Sequence, residues 1–110
     1  MRVNDYYSKY YSKKLSVTNV EQTYAFPKDV RAVQVISETG SANDAYIAFS
    51  ERNYNGTTGF ADNSVDTTQA DTKTIKLIAG QYVSIALDTD SIKYKTASGT
   101  ATLQLVMLGN

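Results

Sequence analysis

Carboxylates are the reactive groups this chain has to offer. Asp88-Thr89-Asp90 sets two of them in one turn, and Asp62, Asp66 and Asp71 lie along a single acidic stretch. Two carboxylates can run glycoside hydrolysis when a sugar cleft holds them about 5–9 Å apart. A chain of 110 residues that sets them in surface turns has little room to build that cleft, so solvated turn carboxylates are the expected reading. Oxygen ligands of this kind also suit calcium, but the D-x-[DN]-x-[DN]-G spacing of a calcium loop is missing. The chain contains no histidine and no cysteine. That removes Ser–His and Cys–His nucleophiles, imidazole acid–base work and any ordinary zinc site. No P-loop occurs, and the six glycines include no G-x-G-x-x-G dinucleotide fingerprint. The expectation is a protein that is not an enzyme and uses no metal or cofactor.

Recognition chemistry is better represented. The stretch from Glu51 to Asn63 has two glycines and no periodicity. Long irregular loops inside small domains often carry function. Arg52, Asn53, Tyr54, Asn55 and Phe60 would supply stacking and hydrogen bonds to a carbohydrate or a receptor; the plainer alternative is a long hairpin or a loop crossing the end of a sandwich. Asn55-Gly56-Thr57 matches a glycosylation acceptor, which without a signal peptide is expected to be idle.

The N-terminal fourteen residues form a second candidate. Tyr6-Tyr7-Ser8-Lys9 is repeated at once as Tyr10-Tyr11-Ser12-Lys13, and Lys14 follows. Arg2, Lys9, Lys13 and Lys14 against Asp5 leave this segment positive and the remainder, residues 15–110, equally negative. Three readings stand. It is a frayed tail, a first strand packed on its own body, since tyrosine favours strands, or an arm that docks on a neighbouring subunit. In the last, Tyr6, Tyr7, Tyr10 and Tyr11 would fill grooves while Lys9, Lys13 and Lys14 meet carboxylates. Stacking on nucleic acid is the further use of interleaved aromatic and basic residues. A formal net charge of zero and an acidic body argue against it, and equally against an anionic membrane.

The elements that must position these groups read as strands. Thr72–Ile78, Gln81–Leu87 and Thr100–Leu108 alternate polar and apolar, with Val83, Ile85 and Leu87 on one face, and they read as three strands of one antiparallel sheet. Ala79-Gly80 and Ala97-Ser98-Gly99 are turns, and Ile92–Lys95 is a short strand between. Upstream, Leu15–Thr18, Gln22–Phe26, Val30–Ser37 and Ala45–Ser50 continue the pattern, and Val65–Thr68 fits a short strand. Pro27 has no N–H and marks a turn or edge. Leu103 belongs to the core face. Seven to nine short strands with turn residues every eight to twelve positions indicate an all-β fold, an antiparallel β-sandwich or jelly-roll-like domain over residues 15–110, with residues 1–14 as an extended arm. No apolar run reaches the ~20 residues that span a bilayer. The first residues lack the apolar core of a secretory signal, so synthesis and retention in a cytoplasm are expected until assembly. Nine tyrosines, against three phenylalanines and no tryptophan, suit surfaces that are wet in one state and buried in another.

The block Ile75–Leu87, with Ile92–Lys95 and Ala97-Ser98-Gly99-Thr100-Ala101-Thr102-Leu103-Gln104-Leu105, resembles a pattern among small tailed-bacteriophage virion proteins. In that pattern a strand ends at an Ala/Pro-Gly turn, a second carries alternating aliphatics, and an Ala-Ser-Gly-Thr-Ala hairpin opens the last strand. Residues 40–50, an Asn/Asp-rich loop feeding Ala-Tyr-Ile-Ala-Phe, fit it too, and the tyrosine-lysine segment and the 51–63 loop fall outside it. The resemblance implies a capsid-decoration, head-fibre or tail-associated protein residing in the virion. Its expected partners are copies of itself, a trimer being favoured, and the major capsid or another virion protein.

Overall fold

The computed structural model describes residues 7–28, 30–52, 59–70 and 73–110. Among them are ten strands and no helix: β1 (Lys9–Val17), β2 (Gln22–Ala25), β3 (Val30–Ser37), β4 (Ala45–Phe49), β5 (Glu51–Arg52), β6 (Phe60–Ala61), β7 (Ile75–Leu77), β8 (Tyr82–Ile85), β9 (Ser91–Lys95) and β10 (Ala101–Gly109). Two four-stranded sheets, ordered β1-β10-β3-β8 and β2-β9-β4-β7, form a sandwich, and β5 pairs only with β6. Every pairing is antiparallel. The chain switches sheet at each connection except from β4 to β7. That path makes two Greek keys, the eight-stranded jelly roll. The expected all-β sandwich is therefore the fold.

Period-two patterning explains the layers. In β10, Ala101, Leu103, Leu105 and Met107 are buried while Thr102, Gln104, Val106 and Leu108 stay partly exposed. β3 does the same with Val33 and Val35. β10 is paired on both sides, over nine positions with β1 and over seven with β3. The registers line up rows across the first sheet. Ser12, Val106, Gln34 and Ser84 make one row on its outer face. Tyr11, Met107, Val33 and Ile85 make one on its inner face. From the second sheet Ile47, Phe49, Ile92 and Tyr94 complete the core. Leu103 is fully buried, on the face expected of it.

Three expectations need correction. The boundary after Lys14 falls inside β1: Lys9, Tyr10, Tyr11, Lys13 and Lys14 sit in the sheet, so the first-strand reading applies to them. Tyrosine's strand preference and a nine-residue partner in β10 are the physical reason. The three C-terminal strands do not share one sheet, because β7 lies in the second sheet and β8 and β10 in the first. Alternation fixes which side of a strand is apolar and leaves its neighbour open. Val65–Thr68 is not a strand. There Asp66 turns the chain, its carboxylate accepting from the Thr68 N–H (3.0 Å), the Thr68 hydroxyl (2.6 Å) and the Ala70 N–H (3.1 Å). In the 51–63 stretch the plainer alternative, a hairpin, is what the pairing shows, Glu51-Arg52 against Phe60-Ala61.

Candidate functional site

The two sheets treat their outer faces differently, and that difference defines the first candidate surface. On the second sheet, Tyr46 and Ala48 point away from the core cluster yet are buried. The segment after β6 reaches this face at Lys93. Lys93, opposite Ala48 on that face, meets Asp62 at 3.7 Å and Glu21 at 3.9 Å. Glu21 in turn accepts the Val65 N–H at 2.7 Å.

The outer face of the first sheet is more open among the described residues, with Gln34, Val106 and Leu108 partly exposed. A groove of about 410 Å³ runs there, and Ala32, Gln34, Ser84, Ala86, Val106 and Leu108 line it. Tyr82 and Tyr10 stand beside it, 64% and 75% exposed. Exposed apolar side chains set in a groove and rimmed by polar groups suit contact with another surface. The first sheet also ends in β1, a nine-residue edge strand whose far side pairs with no other described strand. Unpaired N–H and C=O groups along such an edge are a template for another strand.

The structure separates the segment expected to act as an arm. Tyr10 is on the outer face in the row of Leu108 and Ala32. Tyr11 packs against the core. Lys14 pairs with Glu38 at 3.0 Å, and Lys9 and Lys13 are exposed on β1. Tyr7, 39% exposed, precedes the strand. Tyr6 lies outside the described residues.

The second candidate is a corner where the β2–β3 turn, β5–β6 and the β8–β9 loop meet. The Arg52 guanidinium lies over the Phe60 ring, 4.5 Å from its centre. Its Nε donates to Asp88 Oδ2 and its Nη2 to Asp88 Oδ1 at 3.3 Å. Arg52's hydrogen bonds hold the Asp88 carboxyl below its ordinary range. Next to it Glu51 is lowered likewise, first by Lys73 at 2.7 Å and then by Asn63 at 2.9 Å. An open groove of about 200 Å³ touches Phe26, Lys28, Arg31, Arg52, Phe60 and Asp88. Of the expected ligand loop, Arg52 and Phe60 are thus together, while Asn53, Tyr54 and Asn55 lie outside the described residues.

A buried lock under this corner has no counterpart in the sequence reading. Ser50 Oγ sits 2.9 Å from Thr89 Oγ1 and donates to Asp90 Oδ1 at 2.7 Å, and it accepts the N–H groups of Asp90 (3.1 Å) and Ser91 (3.2 Å). The residues are some forty positions apart, and no local pattern couples them. A serine with its lone pairs already filled by backbone donors, 2% exposed, holds the β8–β9 loop against the end of β4. Asp88 and Asp90, the sequence's paired carboxylates, are therefore each committed to a different partner.

No protein-family model matches this chain, and no curated protein matches it in sequence. Among solved structures, a protein of Bacillus endospore appendages, described as disulfide-linked pili, superposes with a TM-score of 0.52 at 13% identity, over 92% of this chain and 85% of that one. The SPBc2 prophage-derived protein YomS superposes with a TM-score of 0.46 at 14% identity, over 90% of this chain and 96% of that one. The first likeness shows a shared fold.

Proposed function

We propose that this chain is a structural subunit of a bacteriophage virion, which assembles with copies of itself and binds the capsid or another virion surface. The observation that carries this reading is the asymmetry of the two faces. One sheet buries Tyr46 and Ala48 on its outer side, and the other, among the described residues, leaves an apolar groove, two exposed tyrosines and a long strand edge open. A surface subunit meets a repeating lattice through contacts multiplied by symmetry, so modest patches suffice. The phage class comes from the resemblance in the C-terminal strands and turns. The pilus protein supports the idea that this fold can act as a repeating unit. Its disulfide links have no equivalent in these 110 residues, which contain no cysteine.

The test is mass spectrometry of purified particles of the phage that encodes the chain, followed by rebinding of purified protein to particles stripped of it. The chain should be present and should rebind, and Tyr82→Asp, on the bare face, should rebind at least tenfold more weakly with an unchanged melting temperature. Particles that lack the chain overturn the reading. The alternative, a carbohydrate- or receptor-binding module, draws on the Arg52–Phe60 corner. It expects glycan-array signal that Phe60→Ala abolishes, and a silent array counts against it.

A further inference from the structure

The geometry points to edge-to-edge joining, in which β1 of one copy adds as a fifth strand beside β8 of the next and the β1-β10-β3-β8 sheet continues from subunit to subunit. This rests on the self-assembling reading above and specifies its contact.

Strand direction supplies the first argument. Four antiparallel strands in one sheet give edges that run in opposite directions, so β1 and β8 are antiparallel to each other. A second copy displaced along the strand order, without being turned over, therefore presents its β1 antiparallel to the first copy's β8. The contact is heterologous: it closes into a ring or runs on as a filament, according to the rotation between copies.

The rows give the register. Ser12, Val106, Gln34 and Ser84 are level across the sheet, as are Lys14, Gln104, Ile36 and Tyr82. Sliding one copy by the width of the sheet sets Ser12 beside Ser84, Lys14 beside Tyr82, Lys13 beside Val83 and Tyr11 beside Ile85. The faces agree. Tyr11 and Ile85 both turn to the core and both are only partly buried at their separate edges. Brought together, each covers the other's exposed flank. Tyr82, on the outer face, gains the aliphatic stem of Lys14.

Charge decides between this pairing and the symmetric one. β1 carries Lys9, Lys13 and Lys14 and no carboxylate, whereas Tyr82-Val83-Ser84-Ile85 carries no charge. Two β1 strands in full antiparallel register would set Lys13 directly against Lys13, a destabilising like-charge pair. Lysines on a free edge guard against just that association. β8 meets them without repulsion.

A cysteine pair tests the contact, because the chain has no cysteine of its own. Ser12 and Ser84 are both exposed. Within one molecule they lie three strand spacings apart, about 14 Å, beyond the ~7 Å Cα reach of a disulfide. Under mild oxidation the full-length Ser12→Cys/Ser84→Cys variant should give a ladder of covalent dimers, trimers and higher species that reduction collapses, while each single variant stays monomeric. A missing ladder where light scattering shows the parent chain assembled overturns the edge pairing and leaves self-assembly standing. So does a Ser12→Cys dimer as abundant as the first rung, which would mean β1 against β1. A parent chain that is monomeric at every concentration overturns both.

Discussion

Ser37 and Ser50 are both buried serines, and their hydroxyls stand in opposite circumstances. Ser50 Oγ satisfies two backbone donors and a carboxylate. Ser37 Oγ is buried without a hydrogen-bond partner among the described residues. An unmade buried hydrogen bond costs more than a made one contributes. Ser50→Ala should therefore destabilise by about 1–3 kcal/mol, through the two orphaned N–H groups, and Ser37→Ala should be neutral or stabilising by up to about 1 kcal/mol. Urea unfolding of both variants measures the contrast, and equal losses would contradict it. Titration supplies a second check at this scale. Asp88 and Glu51 have carboxyls held below ordinary values of 3.8 and 4.5 by Arg52 and Lys73. A depressed folded-state pKa gives stability that is full above those values and lost as pH falls through the lower folded ones. Melting temperature followed downward from pH 6 should show an acid limb below about pH 4.5 that is shallower in Asp88→Asn/Glu51→Gln. None of these pairings is legible in sequence: Arg52 and Asp88 are separated by a whole sheet crossing, and only the Asp66 turn, closed within four residues, shows itself in the order of residues.

At the scale of elements, two turns compare directly. Gly80 and Gly99 both have positive φ, 88° and 71°. A Cβ on Gly80 would meet only Thr39 Cγ2 at 3.5 Å, an ordinary contact. On Gly99 it would lie 2.3 Å from Asn43 Nδ2, and that amide donates to the Thr100 carbonyl at 3.0 Å. Gly80→Ala should cost the left-handed strain alone, about 1–2 kcal/mol, and Gly99→Ala distinctly more. Adding Asn43→Ala should recover part of the difference, and equal unfolding midpoints for the two single variants would refute it. Both turns were readable, because glycine after a small residue interrupts a clean alternation. So were the faces: Leu103, Val33, Ile47 and Phe49 are buried as their spacing required. The sheet each strand joins was not, since β7 and β8 share one hairpin-like turn and belong to different layers. In a sandwich, consecutive strands that stack and consecutive strands that pair have the same two-residue period.

For the molecule as a whole, β1 connects stability with assembly. Removing residues 1–14 would be a clean assay of a free arm, but six of those residues are β1 itself and cover the edge of β10. That deletion strips Lys9 to Lys14 from the ladder and removes Tyr11 from the core margin. It leaves Leu105 and Met107, fully buried in the intact chain, at a new and more apolar edge. Removing residues 1–8 keeps β1 whole. The shorter deletion should therefore melt close to the full chain, and the longer one on the order of 10 °C lower, the consequence of losing about 2 kcal/mol in a domain of this size. The longer one should also aggregate, because β10 lacks the lysines that guard β1. If the chain lacking residues 1–14 melted like the full-length protein, that part of β1 would be dispensable to the fold. Loss of assembly on truncation could then be assigned to the arm alone. If instead it unfolds, assembly must be probed by substitutions that spare the ladder, at Ser12, Tyr82 and Ser84, where the side chains are exposed and the backbone keeps its pairing.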